Sequence, residues 1–219
     1  MTGIRLPSGR PVICLITDRL LAEPRDLAEI VSAAVDGGVN LVQLREKDLP
    51  TRELIDLAAR LIDAIAGRAP LLVNGRPDVA FATKADGVHL PADGLLPQDA
   101  RKVLGVDCIV GQSIHSPEEA LHYRNAGLDY VELGSIFPSG SHPGRPALGL
   151  YAIRAAALHG IPILAVGGVT SRNVANVIAD GAMGVAVISS ITAEPDPRSA
   201  AEQLCANAAE AWEQLPSIA

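Results

Sequence analysis

The chain has 219 residues, 48% of them hydrophobic, 20% charged and only 3% aromatic, which is enough for one α/β barrel with a core of Val, Ile, Leu and Ala rather than of rings. A formal charge of -7 and a pI near 5.2 exclude the basic footprint of a nucleic-acid binder, though not a local cationic pocket. Cys14, Cys108 and Cys205 are scattered without a Cys-x-x-Cys pair, so neither a disulfide framework nor a zinc cluster is expected. No apolar run approaches the ~20 residues of a membrane span, and the N-terminus lacks a charged-then-apolar signal pattern. The expected setting is therefore reducing and cytoplasmic, with no membrane partner.

Eight short apolar runs follow in order: VICLIT (12 to 17), VNLVQL (39 to 44), LLVN (71 to 74), GVHL (87 to 90), CIVG (108 to 111), YVELG (130 to 134), IPILAVGG (161 to 168) and GVAVISS (184 to 190). Each is nearly continuous in its hydrophobicity, as strands buried on both faces are. Helical patterns lie between them. Residues 24 to 36 put Leu27, Ile30, Val31 and Ala34 on one stripe, and residues 51 to 65 do the same with Leu54, Leu57, Ala58, Leu61 and Ile65. Thr51 and Ser116-Pro117-Glu118-Glu119 read as helix starts, whereas Gly37-Gly38, Gly127 and Gly181 read as stops. Strand then helix, eight times, predicts a single (β/α)8 TIM barrel with an eight-stranded parallel core, one domain over residues 1–219. A doubly wound open sheet is the alternative.

In a barrel the C-terminal ends of the strands carry the chemistry. The second strand leaves through Gln43-Leu44-Arg45-Glu46-Lys47, and alternation puts the donors Gln43, Arg45 and Lys47 on one side, a pattern suited to an anion. The third strand ends at Asn74. The fourth carries His89, which reads as a satisfied structural histidine. The fifth leaves through Ser113 and His115, which share a side, and an imidazole there can take and return a proton near neutral pH. After the sixth strand, residues 134 to 149 form a long loop rich in Gly, Ser and Pro that could act as a lid. Gly167-Gly168 after the seventh strand and Ser189-Ser190 after the eighth stand where this fold usually cradles phosphate.

The motifs LITD, VQLREK, VNGRPDVA, ADGVHL, GQSIHSPEEA, DYVELGSIFPS, IPILAVGGVTSRNV and GVAVISSI, spread from about residue 12 to 200, resemble the thiamine phosphate synthase and thiazole tautomerase superfamily. The resemblance implies a (β/α)8 barrel and a small phosphorylated thiazole as substrate. The synthase branch joins a pyrimidine pyrophosphate to a thiazole phosphate with Mg²⁺ held by carboxylates. Here Gly75 and Gly94 stand where that branch keeps Asp, and Asp93 is one residue out of place. Its Thr-x-Thr-Lys becomes Ser139-Gly140-Ser141-His142. NGR, LP and SIHSPEEA resemble the tautomerase branch, which aromatises a carboxythiazole phosphate by moving a proton and needs no leaving group.

The resemblance thus implies a metal-independent isomerase without cofactor. His115 would be its catalytic base, and Gly167, Gly168, Ser189 and Ser190 would hold phosphate. Gln43, Arg45, Lys47, Asn74 and Ser113 would position the substrate, and Ser139 and Ser141 would close over its carboxylate. The alternatives are a Mg²⁺-dependent thiamine phosphate synthase using Asp93, and a silent barrel that binds a thiazole or thiamine phosphate. A homodimer is allowed by the sequence but not demanded by it.

Overall fold

The computed structural model describes residues 6–139 and 146–215. Its elements in chain order are β1 (Val12–Ile16), α1 (Arg19–Ala22), α2 (Leu27–Asp36), β2 (Leu41–Leu44), α3 (Thr51–Ile65), β3 (Leu71–Asn74), α4 (Pro77–Thr83), β4 (Gly87–Leu90) and α5 (Pro97–Leu104). They continue with β5 (Ile109–Ile114), α6 (Pro117–Tyr123), β6 (Tyr130–Gly134), α7 (Leu150–Ala157), β7 (Ile163–Val166), α8 (Val174–Ala179), β8 (Gly184–Val187), α9 (Ser189–Thr192) and α10 (Pro197–Glu213). The strands pair in parallel in sequence order, and β8 closes on β1, with Val12 opposite Gly184 and Leu15 opposite Val187. This is the (β/α)8 barrel the strand-helix alternation predicts.

Alternation sorts the strand residues into two cores. Val12, Cys14, Ile16, Leu41, Leu72, Ile109, Tyr130, Leu164 and Ala186 fill the barrel interior. Their neighbours, such as Ile13, Leu15, Val42, Leu44, Val73, Leu133 and Val185, face outward into one continuous layer beneath the helices. In α3 the stripe Leu54, Ala58, Leu61 and Ile65 is buried as its spacing predicts. Ser116 caps α6 by accepting from the Glu119 N–H, with Pro117 at the first helical position.

Three local expectations shift. Thr51 is the first residue of α3 rather than its cap; its hydroxyl instead accepts from Arg76 Nη2 at 3.1 Å. Strand β5 runs on to Ile114, because Gln112 turns outward and donates to the Pro91 carbonyl at 2.7 Å while Ser113 faces inward. The apolar run at the eighth strand breaks after Val187, so Ser189-Ser190 start α9 instead of ending the strand.

Candidate active site

A cavity of about 950 Å³ opens at the C-terminal end of the barrel. Gln43, Arg45, Lys47, Asn74, Ser113, His115, Ser139, Gly167, Gly168, Ser189 and Ser190 all line it. Ser141 and His142 lie outside the described residues. A smaller hollow of about 520 Å³ at the opposite end, between the N-terminal segment, Cys108 and Trp212, is on the face this fold devotes to stability.

One wall of the cavity is cationic. As alternation requires, Gln43, Arg45 and Lys47 face it while Leu44 and Glu46 point away and are buried. Glu46 fixes this wall. Its carboxylate accepts from the Thr17 hydroxyl (2.7 Å), the Arg19 N–H (3.1 Å) and Arg19 Nη1 (3.1 Å). Thr17 Oγ1 in turn accepts from the Arg45 N–H at 2.9 Å, so the exits of β1 and β2 are tied where Arg45 emerges.

A second wall, from the exits of β7 and β8, is made of Gly167, Gly168, Ser189 and Ser190. Both glycines have positive φ, +96° and +65°, and a Cβ on them would lie 2.6 Å from Ser135 Oγ and 2.6 Å from the Pro138 carbonyl oxygen. Only glycine lets the loop after β6 lie this close to β7. Phe137 N–H donates to Gly167 O, and Asn173 Nδ2 donates to Gly168 O, which fixes the turn from behind. Ser139 Oγ is buried here without a partner among the described residues.

The floor holds a polar network that the sequence did not announce. Glu132 on β6 lines the cavity and accepts from Gln43 Nε2 at 2.9 Å. Its other oxygen lies 3.3 Å from His89 Nε2. His89 Nε2 is 2.8 Å from Ser113 Oγ, and Nδ1 is 2.9 Å from the Tyr130 hydroxyl. Burial pushes the Glu132 carboxyl up to about 8, against the opposing pull of the Gln43 hydrogen bond and the Arg45 charge. Burial, reinforced by Arg45, pushes His89 down to about 3. At pH 7 the pair therefore consists of two largely uncharged groups rather than an ion pair. His89 is the satisfied buried histidine its place in a strand suggests. The signal for Glu132 was present as well: it is a lone carboxylate in the middle of the buried run YVELG.

His115 is exposed at the mouth, with Nδ1 3.1 Å from the Gly134 carbonyl oxygen and its own N–H donating to Glu119 Oε2 at 3.2 Å.

The two glycines that pointed toward the isomerase have a backbone explanation. Gly75 has φ +68°, and Gly94 closes a turn in which its N–H donates to the Pro91 carbonyl at 2.9 Å. A Cβ at Gly94 would lie 2.9 Å from Pro91 Cδ and 3.0 Å from Pro91 O, so Pro91 and Gly94 go together as one turn. Among the described residues no three His, Cys, Asp or Glu side chains gather into a metal cage. Asn74 and Asp93 nevertheless bring two oxygen donors to the same cavity. That donor set fits Mg²⁺, which is commonly held by one or two carboxylates while substrate phosphates and water complete its shell.

The thiamine monophosphate synthase family model matches residues 13–191. A thiamine-phosphate synthase of Roseiflexus castenholzii is 41% identical over 210 residues, covering 94% of this chain and 92% of the relative. One of Chlorobium luteolum is 43% identical over 199 residues, covering 90% and 92%. Among solved structures, the thiamine phosphate pyrophosphorylase of Pyrococcus furiosus superposes with a TM-score of 0.82 at 34% identity, covering 91% of this chain and 96% of that one. These relatives overturn the expected isomerase, whose support was the loss of Asp at positions 75 and 94 together with the NGR, LP and SIHSPEEA motifs. With it goes the stated reason for expecting no metal. The chain belongs to the thiamine monophosphate synthase family.

Proposed function

We propose that this protein is a thiamine-phosphate synthase, a transferase that moves an aminopyrimidine methylene from diphosphate to the ring nitrogen of a thiazole phosphate. The observation that carries this is the cavity's two anion-suited walls, Arg45 and Lys47 on one side and Gly167-Gly168 with Ser189-Ser190 on the other, flanking one floor. Two phosphorylated heterocycles need two such walls. A volume of about 950 Å³ is at the upper end of what small-molecule sites offer and suits a pair of rings.

The thiazole nitrogen donates its electron pair to the methylene carbon as the carbon–oxygen bond breaks, and diphosphate leaves with that bond's electrons. Arg45 and Lys47 hold the diphosphate and offset its growing charge. The glycine pair and the serine hydroxyls hold the thiazole's phosphate, and Gln43, Asn74 and Ser113 orient the rings so that nitrogen and methylene meet. Ser139, whose hydroxyl is buried without a partner among the described residues, adds a donor from the loop after β6. Mg²⁺ held through Asp93 and Asn74 would neutralise the leaving diphosphate. No carbon–hydrogen bond is broken, so His115 is not needed as a base and serves as a donor at the mouth.

The test is incubation of the purified chain with hydroxymethylpyrimidine diphosphate, thiazole phosphate and Mg²⁺. Stoichiometric formation of pyrophosphate and thiamine phosphate is expected. No product at any Mg²⁺ concentration would sink the assignment.

A further inference from the structure

Alkylating a neutral thiazole nitrogen leaves a thiazolium, so positive charge appears on the rings while negative charge leaves toward the mouth. The cavity is graded to match. Cations and hydroxyls ring its opening, whereas Ile16, Val166 and Ala186 line it at apolar positions beneath. Among the described lining residues three are acidic. Asp18 is occupied as the cap of α1, accepting from the Leu21 N–H at 3.0 Å, and Asp93 is exposed in the turn after β4. The third, Glu132, is 4% exposed and reaches the floor from the middle of β6. We infer that Glu132 is a catalytic residue that stabilises the positive charge developing on the joined heterocycles. This rests on the synthase assignment.

Geometry favours this over a purely structural role. A buried carboxyl serving only its neighbours would be expected to have both oxygens fully used by them. Here one oxygen accepts from Gln43 at 2.9 Å, and the other has, among the described residues, only His89 Nε2 at 3.3 Å, a nitrogen that sits closer to Ser113 Oγ at 2.8 Å. That second oxygen is available to a ligand in the cavity it lines. The groups that face Glu132 are Gln43 from β2, Arg45 from the segment just after it, His89 from β4, Tyr130 from β6 itself and Cys14 from β1. Of these only Arg45 is charged near pH 7, since burial holds His89 neutral and raises both Tyr130 and Cys14. In the free protein Glu132 therefore waits largely protonated, and a thiazolium above it lowers the carboxyl's pKa, so that the proton passes to solvent and leaves a carboxylate opposite the cation.

Glu132→Gln keeps the size and the acceptor for Gln43 and removes the charge. Turnover should fall at least about 30-fold while KM for each substrate stays within about threefold, the split expected of an interaction made in the transition state. Calorimetry supplies a readout independent of turnover. The product thiamine phosphate, whose thiazolium ring is cationic, should bind the variant about tenfold more weakly. Thiazole phosphate, whose ring carries no positive charge, and hydroxymethylpyrimidine should bind it as they bind the native chain. Titration at pH 7 in two buffers of different ionisation enthalpy should show more proton release on binding the product to the native chain than to Glu132→Gln, the release common to both coming from the product's phosphate. Equal weakening of all three ligands, no weakening of any, failure of the native chain to bind thiamine phosphate, or equal proton release in the native chain and the variant would each overturn the inference. If the native chain binds thiamine phosphate yet makes none from the two substrates, the synthase assignment falls, and the selective binding result still decides Glu132.

Discussion

At the scale of single residues, what a missing side chain means depends on the backbone beneath it. Gly75 and Gly94 read in the sequence as lost metal ligands, and that reading led toward an isomerase. The structure gives each a local cause: a φ of +68° at Gly75, and at Gly94 a Cβ position 2.9 Å from Pro91 Cδ. Neither cause can be seen in a string of letters, since both depend on how the turn after β4 folds over the end of β3. Asp93, in that same turn, lines the cavity with Asn74 and is the acidic group available there to an ion carried on a diphosphate. Replacing Asp93 with Ala should therefore raise the Mg²⁺ concentration for half-maximal pyrophosphate release by about tenfold or more, with little change at saturating Mg²⁺. An unchanged Mg²⁺ titration would remove Asp93 from that role.

At the scale of elements, the strand exits were legible because a strand alternates. Once VQLREK was placed at the end of β2, Gln43, Arg45 and Lys47 had to share a face, and they do. Ser113 and His115 followed by the same rule. What alternation could not supply was the purpose of the residues on the other face. Glu46 is buried on that face and joins β1 to β2 through Thr17 and Arg19, and Thr17 then holds the Arg45 backbone. The clamp lies behind the wall, so Glu46→Ala should act on the site indirectly. It leaves the Thr17 hydroxyl without its acceptor and the Arg19 backbone N–H unpaired, a loss of about 2 kcal/mol in a denaturant titration. It should also raise KM for the diphosphate substrate more than it lowers kcat, because Arg45 loses its fixed emergence point while the chemistry is untouched. A fall in kcat at constant KM would show that Glu46 is not a positioning residue. Glu132 was missed for the complementary reason. A carboxylate inside an apolar run looks like an interruption of a strand, and only the closed barrel reveals that its partners come from β2 and β4.

At the scale of the whole molecule, the network that joins β2, β4, β5 and β6 at the barrel's centre ties folding to pH. Glu132 rises from the ordinary 4.5 to about 8 on folding. Between those values the folded chain holds a proton that the unfolded chain has released, so stability falls as pH rises. His89 drops from 6.5 to about 3. Between those values the unfolded chain takes up a proton that the folded chain refuses, so stability falls as pH falls. From 4.5 to 6.5 the two slopes oppose each other and the pair contributes a plateau. Above it, toward pH 8, only Glu132 acts, and below it, toward pH 3, only His89 acts, each removing on the order of 2 kcal/mol at about 1.4 kcal/mol per pH unit. Urea titrations at pH 3.5, 5.5 and 8 on the native chain and two variants separate these contributions. Glu132→Gln should lose the decline between pH 5.5 and 8 and keep that on the acid side relative to its own plateau. His89→Gln should keep the alkaline decline and lose part of the acid one, with the rest of the acid loss coming from carboxylates such as Asp26 and Asp78, whose pKa values are lowered by hydrogen bonds to Ala28 N–H and to Arg76 respectively. A native profile that falls equally steeply in Glu132→Gln between pH 5.5 and 8 would mean that the barrel's centre does not hold the proton assigned to it. The charge-stabilising role inferred for Glu132 would then lose its protonated starting state as well.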